Sequence, residues 1–208
     1  METRRIVVLS AGLGVPSSSR LLADQLAASA QRQLGAAGYD VVIDVVELRD
    51  LAVDIANNFV TGYAAPKLAD VVATVEAADG IIAVSPVFSA SYSGLFKSFI
   101  DVLDPKSLTG KAVLLGATGG TDRHQMVLDY AMRPLFSYLR TRTTATAVFA
   151  GPQDWGSTEQ GASPLSDRVD RAAGELTDLL KGAQPQTKPA ALESLPFEEL
   201  LAGMSAGR

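Results

Sequence analysis

A three-layer α/β/α fold on a five-stranded parallel sheet, ordered 2-1-3-4-5, is what this chain predicts, and three observations predict it. Short runs rich in β-branched residues alternate five times with segments of helical apolar spacing. The runs are near-continuously apolar, as in Gly80-Ile81-Ile82-Ala83-Val84, so the strands are expected to be covered on both faces. Three of them end in loops of glycine, serine, threonine and proline, the residues that suit ligand crevices at the carboxyl edge of open α/β sheets. Such alternation demands crossover connections, and right-handed crossovers make neighbouring strands parallel.

The elements follow in order. Ile6 to Ala11 is a β-branched run that stops at Gly12, and Ser19 to Leu34 has helical spacing through Leu21, Leu22, Leu26 and Ala30. Val41 to Leu48 is the second strand, Arg49 to Tyr63 reads as irregular, and Lys67 to Ala78 is helical. The third strand, Ile81 to Ser85, leads to a helix from Gly94 to Leu103. Ala112 to Ala117 is the fourth strand, followed by a helix over Arg123 to Leu139. The fifth strand spans Thr143 to Phe149 and the last helix Leu165 to Leu180. Five strands so connected suit the flavodoxin-like order, whose switch point lies between strands one and three, so the loops after strands one, three and four converge on one site.

At 208 residues and 47% apolar composition the chain suits one domain, which at this size buries roughly 70% of its extended-chain surface. Residues 1–182 are read as that domain, and 183–208 as a linker and short tail. The linker is marked by Gln184-Pro185-Gln186-Thr187-Lys188-Pro189. In the tail Leu192, Leu195, Phe197, Leu200, Leu201 and Met204 recur at near-helical spacing, a pattern that suits a short amphipathic helix strapped on its own domain or on a sister subunit, with docking to a separate partner protein or disorder as the competing readings.

The balance of 18 basic against 23 acidic residues gives a net charge of −5, with no basic cluster for nucleic acid. There is no cysteine, so thiol nucleophiles and Cys-ligated clusters are excluded, and redox work needs a borrowed group. No segment approaches the roughly 18 consecutive apolar residues that cross a bilayer, and Met1 to Arg5 leads straight into the first strand without a signal-peptide core. A soluble cytoplasmic protein with no membrane partner is the expectation.

The first loop, Ser10-Ala11-Gly12-Leu13-Gly14-Val15-Pro16-Ser17-Ser18-Ser19-Arg20, ends at a helix start, where free N–H groups and the helix dipole favour a phosphate. Ser17, Ser19 and Arg20 add donors, each charge-assisted bond contributing about 1.5–3 kcal/mol, and Ser10 opens the loop at the strand end. Plain capping of the helix by serine is the competing reading. Gly12-Leu13-Gly14-Val15-Pro16-Ser17 is a degenerate G-x-G-x-x-G lacking its third glycine, and no P-loop motif follows any strand. The second loop carries Ser85-Pro86-Val87-Phe88-Ser89, small hydroxyls and one aromatic beside exposed backbone amides that suit a heteroaromatic edge. The third, Gly116-Ala117-Thr118-Gly119-Gly120, lets the backbone approach a flat ligand, though an ordinary glycine turn reads the same way. His124, the one histidine, has no triad partners at recognisable spacing and suits a structural role or contact with a ligand edge.

In combination these motifs make residues 4 to 180 resemble the NADPH-dependent FMN reductases of flavodoxin-like fold. The resemblance is closest to the actinobacterial branch with the pattern seen here as Gly116-Ala117-Thr118-Gly119-Gly120 and Met132-Arg133-Pro134-Leu135-Phe136. It implies FMN as cofactor and NADPH or NADH as co-substrate, with Ser17, Ser19 and Arg20 on the FMN phosphate. It also implies Pro86, Val87, Phe88 and Ser89 on the isoalloxazine, and Thr118, Gly119 and Gly120 along its pyrimidine side. Phe88 departs from the tyrosine or tryptophan of many relatives. The family's dimers and tetramers imply a homo-oligomer, with Arg133, Pro134 and Phe136 at an interface.

The implied reaction is hydride transfer from nicotinamide C4 to flavin N5, which needs no catalytic side chain and no metal. Reduced flavin then leaves to serve a flavin-dependent monooxygenase, or stays to reduce a quinone or azo compound. An electron carrier without NADPH activity is the alternative from another class, against which the modest −5 charge argues.

Overall fold

The computed structural model describes residues 2–155 and 165–182; the tail read at 183–208 lies outside the described residues. β1 (Thr3–Ser10), β3 (Gly80–Phe88) and β5 (Ala112–Thr118) form where β-branched runs are buried on both sides, and β2 (Asp40–Glu47) is the partly exposed edge strand, with Val46 its one buried residue. They pair in parallel in the order β2-β1-β3-β5. Ser91–Tyr92 is a two-residue β4 that folds back antiparallel on β3.

The expected fifth strand is found in two pieces, β6 (Arg142–Thr143) and β7 (Val148–Ala150), each parallel to β5. The order 2-1-3-4-5 therefore holds with the fifth place shared, and the count rises from five strands to seven. Side chains account for the break. Glu175 takes the Thr146 N–H at 2.7 Å and its hydroxyl at 2.6 Å, while Arg133 donates to the carbonyls of Thr144 and Ala145 at 2.8 and 3.0 Å. With those polar groups satisfied, the segment between has no need of the ladder.

Alternation along the strands sorts the core into two layers. Ile6, Val8, Ile82, Val84 and Leu114 face α1 (Ser18–Ala36) and α6 (Leu165–Lys181), where Leu22, Leu26, Val169 and Leu176 meet them. Val7, Leu9, Ile81, Ala83 and Leu115 face the other helices: α2 (Ala52–Thr61), α3 (Pro66–Ala77), α4 (Gly94–Val102) and α5 (Arg133–Tyr138). Lys111, buried at the start of β5, donates to the carbonyls of Glu76 and Ala78 at 2.8 and 2.7 Å, tying down the end of α3; burial lowers its pKa.

Two stretches differ from the sequence reading. Arg49 to Tyr63, read as irregular, holds a 3₁₀ turn at Leu48–Leu51 and α2, which stops at Gly62 in the left-handed region with φ 69°. Its pattern is blurred because Val53, Phe59 and Val60 are exposed and only Ile55 is buried. The helix expected over Arg123 to Leu139 divides into a 3₁₀ turn at Asp122–His124, a π-helical turn at Leu128–Met132, and α5. Pro134 supplies no N–H to the preceding turn, and the N–H of Arg133 reaches back five residues to Leu128, so the widened turn precedes the proline. Phe136, expected at an interface, lies fully buried with its ring 6.3 Å from that of Phe96, and Arg133 is occupied by the strand break.

Candidate functional site

Because β1, β3 and β5 are neighbours in register, their carboxyl ends stand side by side: Ser10 pairs with Val84, Val84 with Gly116, and Pro86 with Thr118. The three loops predicted to converge do so. A cavity of about 360 Å³ is lined by Ser18 from the first, Pro86, Val87 and Phe88 from the second, and Thr118, Gly119 and Gly120 from the third. Beyond Ser18 lies a wider groove of about 630 Å³, walled by Gly14 to Ser18, Arg20, Asp24, Glu47 and Arg49. Both volumes fall within the roughly 300–1,000 Å³ of small-molecule sites.

The first loop is held from within. Ser17 is the N-cap of α1, its Oγ accepting the Arg20 N–H at 3.2 Å, and a Cβ on Gly12 would stand 1.9 Å from that Oγ. Glycine at position 12 is thus required by Ser17. The Arg49 guanidinium donates to the Gly14 carbonyl at 2.9 Å and braces the loop from outside. Ser19 turns inward, its Oγ 2.7 Å from the Thr118 hydroxyl, and bolts the start of α1 to the end of β5. Ser10 is buried on the same face of the sheet, its Oγ without a partner. Arg20 pairs with Asp24 at 2.7 Å and Glu47 at 2.8 Å, which raise its pKa against the opposing effect of burial. Exposed Ser18 lines both cavities, while Ser19 and Arg20 address protein groups.

The second loop is a hairpin whose two-residue turn, Ser89 and Ala90, has φ values of 48° and 65°. Non-glycine residues there carry strain that a type I′ turn normally gives to Asn-Gly. Ser85 anchors the far end: its Oγ accepts the Ser93 N–H at 2.9 Å, and Ser93 in turn caps α4. Phe88 is exposed beside the cavity, and Ser89 sits at the turn tip, outside the cavity lining. The Ala90→Gly variant is expected to gain about 0.5–1 kcal/mol, the relief of left-handed strain exceeding glycine's entropy cost. A thermal melt reads this directly; a lowered midpoint contradicts it.

In the third loop the paired glycines have different reasons. A Cβ on Gly119 would come within 3.0 Å of Phe149 and 3.3 Å of His124, whereas one on Gly120 meets nothing within 4 Å. Packing therefore requires the first and leaves the second open beside the cavity. His124, its Nδ1 buried without a partner, packs against Gly119.

Trp155 and Pro152 were missed by the sequence reading. They follow β7, and the tryptophan, the single one in the chain, lines both cavities. Its turn is fixed by Asp154, which accepts the Gly151 N–H at 2.8 Å and pairs with Arg168. The signal was available as a large aromatic just past the carboxyl end of the last strand.

The residues present fit a flavin mononucleotide. Apolar and aromatic walls from Pro86, Val87, Phe88 and Trp155 suit a planar ring, and the start of α1 with Ser17 and Ser18 suits its phosphate. The orphaned Ser10 hydroxyl lies fully buried at the end of β1, outside the lining of both cavities. Among the described residues no cluster of His, Asp or Glu suits a metal ion. Fold and site together define a flavodoxin-like α/β protein with a composite cavity at its switch point.

The model of the NADPH-dependent FMN reductase family matches residues 4–156, and the chain belongs to that family. It is 34% identical over 188 residues to an FMN reductase (NADPH) of Pseudomonas aeruginosa, covering 89% of this chain and 97% of that one. It is 32% identical over 175 residues to the NADH-dependent FMN reductase SfnF of Pseudomonas fluorescens, covering 84% and 91%. A solved oxidoreductase from Corynebacterium diphtheriae superposes with a TM-score of 0.84 at 39% identity, covering 88% of this chain and all of that one. The family is one of oxidoreductases acting on flavin, with FMN and a reduced nicotinamide as the reacting pair.

Proposed function

We propose that this chain reduces FMN at the expense of NADPH or NADH and hands reduced flavin to a flavin-dependent monooxygenase. The observation that carries the reading is the meeting of three loops on one cavity with a second groove adjoining it through Ser18 and Trp155. Bound FMN supplies the hydride acceptor. Ser17 and Ser18 at the start of α1 hold its phosphate, with Ser10, Ser19 and Arg20 shaping that end of the site. Pro86, Val87, Phe88 and Trp155 pack on the ring, Ser89 supports the hairpin, and Thr118, Gly119 and Gly120 border the ring's polar edge. Reduced flavin is released to the monooxygenase rather than retained for quinone or azo reduction, a reading in keeping with the solvent exposure of the Phe88 wall.

Residues 1–182 form the functional domain. A homodimer or homotetramer is the proposed assembly, supported by exposed apolar side chains on and just after α2, namely Val53, Phe59, Val60 and Tyr63. No described helix is long and apolar enough to cross a membrane, and the proposed location is the cytoplasm, where reduced nicotinamides are at hand.

The test is nicotinamide oxidation by the purified chain with and without FMN, run separately with NADPH and NADH. FMN-dependent turnover supports the reading; FMN binding without turnover turns it toward a flavodoxin-like carrier. Truncating the aromatic wall, Trp155→Ala, is expected to weaken FMN binding about ten- to a hundredfold, as losing one stacking partner does. Titration followed by flavin fluorescence measures it, and unaltered affinity removes Trp155 from the ring site.

A further inference from the structure

We infer that Arg123 reads the 2′-phosphate of NADPH and sets the preference for that donor over NADH, an inference that rests on the nicotinamide-dependent reading above. A 2′-phosphate carries a charge of roughly −1.5 to −2 near neutral pH, and a protein of net charge −5 must meet it with a local cation. Guanidinium is suited to this, presenting two parallel N–H groups to phosphate oxygens.

The cations around the carboxyl edge of the sheet are otherwise occupied. Arg20 holds Asp24 and Glu47, and Arg49 holds Glu47 and the Gly14 carbonyl. Lys97 is paired with Asp101, and Arg168 with Asp154. Arg133 is tied to Asp129 and to the carbonyls of the strand break. Arg123 is exposed and, among the described residues, its side chain has no hydrogen-bond or ion-pair partner. The other described cations in that condition, Lys106, Arg140 and Arg171, stand before β5, before β6 and well along α6, away from that edge.

The backbone under Arg123 is fixed while its head is free. The turn Asp122–His124 leaves loop three directly after Gly120, with Thr121 Oγ1 accepting the Arg123 N–H at 3.4 Å and the Thr121 carbonyl accepting the His124 N–H at 3.2 Å. Asp122, the nearest acid, is engaged by Gln153, which anchors the turn to the Trp155 segment. Arg123 thus stands three residues past Gly120, which with Thr118 and Gly119 lines the ring cavity.

The test compares the parent chain, Arg123→Ala and Arg123→Lys by calorimetric titration with adenosine 2′,5′-bisphosphate and with AMP, in the presence of FMN. The parent is expected to prefer the bisphosphate, and Arg123→Ala to lose about ten- to a hundredfold of that preference, with Arg123→Lys between them. AMP affinity is expected to stay level. A parent with no preference, or a preference that survives in Arg123→Ala, overturns the inference. Nicotinamide oxidation on the same samples reports separately on the reductase reading, because the titration needs no turnover.

Discussion

The Gly12→Val variant is expected to lose FMN affinity on the order of a hundredfold or more while keeping its fold. The cause is local. A Cβ at position 12 would stand 1.9 Å from Ser17 Oγ, 3.1 Å from Ser17 Cβ and 3.2 Å from Ser19 Cβ, so the serine that caps α1 must move. Ser17 and Ser18, the proposed phosphate donors, move together, each charge-assisted bond being worth about 1.5–3 kcal/mol. The stability cost is smaller, about 1 kcal/mol for the lost cap, because the adjacent core of Leu22, Leu26 and Val8 is untouched. Gly35→Ala is the matched control, since a Cβ there meets nothing within 4 Å. Equilibrium titration with FMN, beside a thermal melt, checks both parts. If Gly12→Val binds FMN as the parent does, the first loop is not the phosphate site.

The central strands were legible because burial on both faces removes polar residues from them, and Ile6 to Leu9, Ile81 to Val84 and Val113 to Leu115 are all fully enclosed. The break in the fifth strand was not, since it depends on Glu175 and Arg133 reaching residues that are distant in sequence. The same holds at the site. Its loops announce themselves locally, as small residues just past strand ends. Which way each side chain turns is set across the fold: Ser19 meets Thr118, 99 positions on, and Arg20 meets Glu47, 27 positions on. Neither pairing leaves a mark in the spacing of Ser17, Ser19 and Arg20. Likewise α2 escaped notice because one buried residue, Ile55, does not make a periodic stripe.

Phe136→Ala is expected to destabilise the chain by about 3–5 kcal/mol, the range for emptying a buried aromatic site. Phe136 has no exposed surface, and its ring sits 6.3 Å from that of Phe96, which in turn meets Tyr92 of β4 at 5.9 Å in a tilted pair. Removing it opens a void beneath α4 and beside the widened turn before Pro134, where backbone satisfaction leaves little room to collapse. The β3–β4 hairpin, proposed to carry the ring wall, rests on the same ring series through Tyr92, so FMN affinity is expected to fall as well, by less than in Gly12→Val. Protein concentration separates this account from an interface role. A core residue lowers the melting point equally at all concentrations, by roughly 6–20 °C in a domain of this size, whereas an interface residue gives a loss that shrinks as concentration drives assembly. Melts across a wide range of protein concentration make the comparison, and a deficit that disappears at the high end would return Phe136 to the subunit boundary.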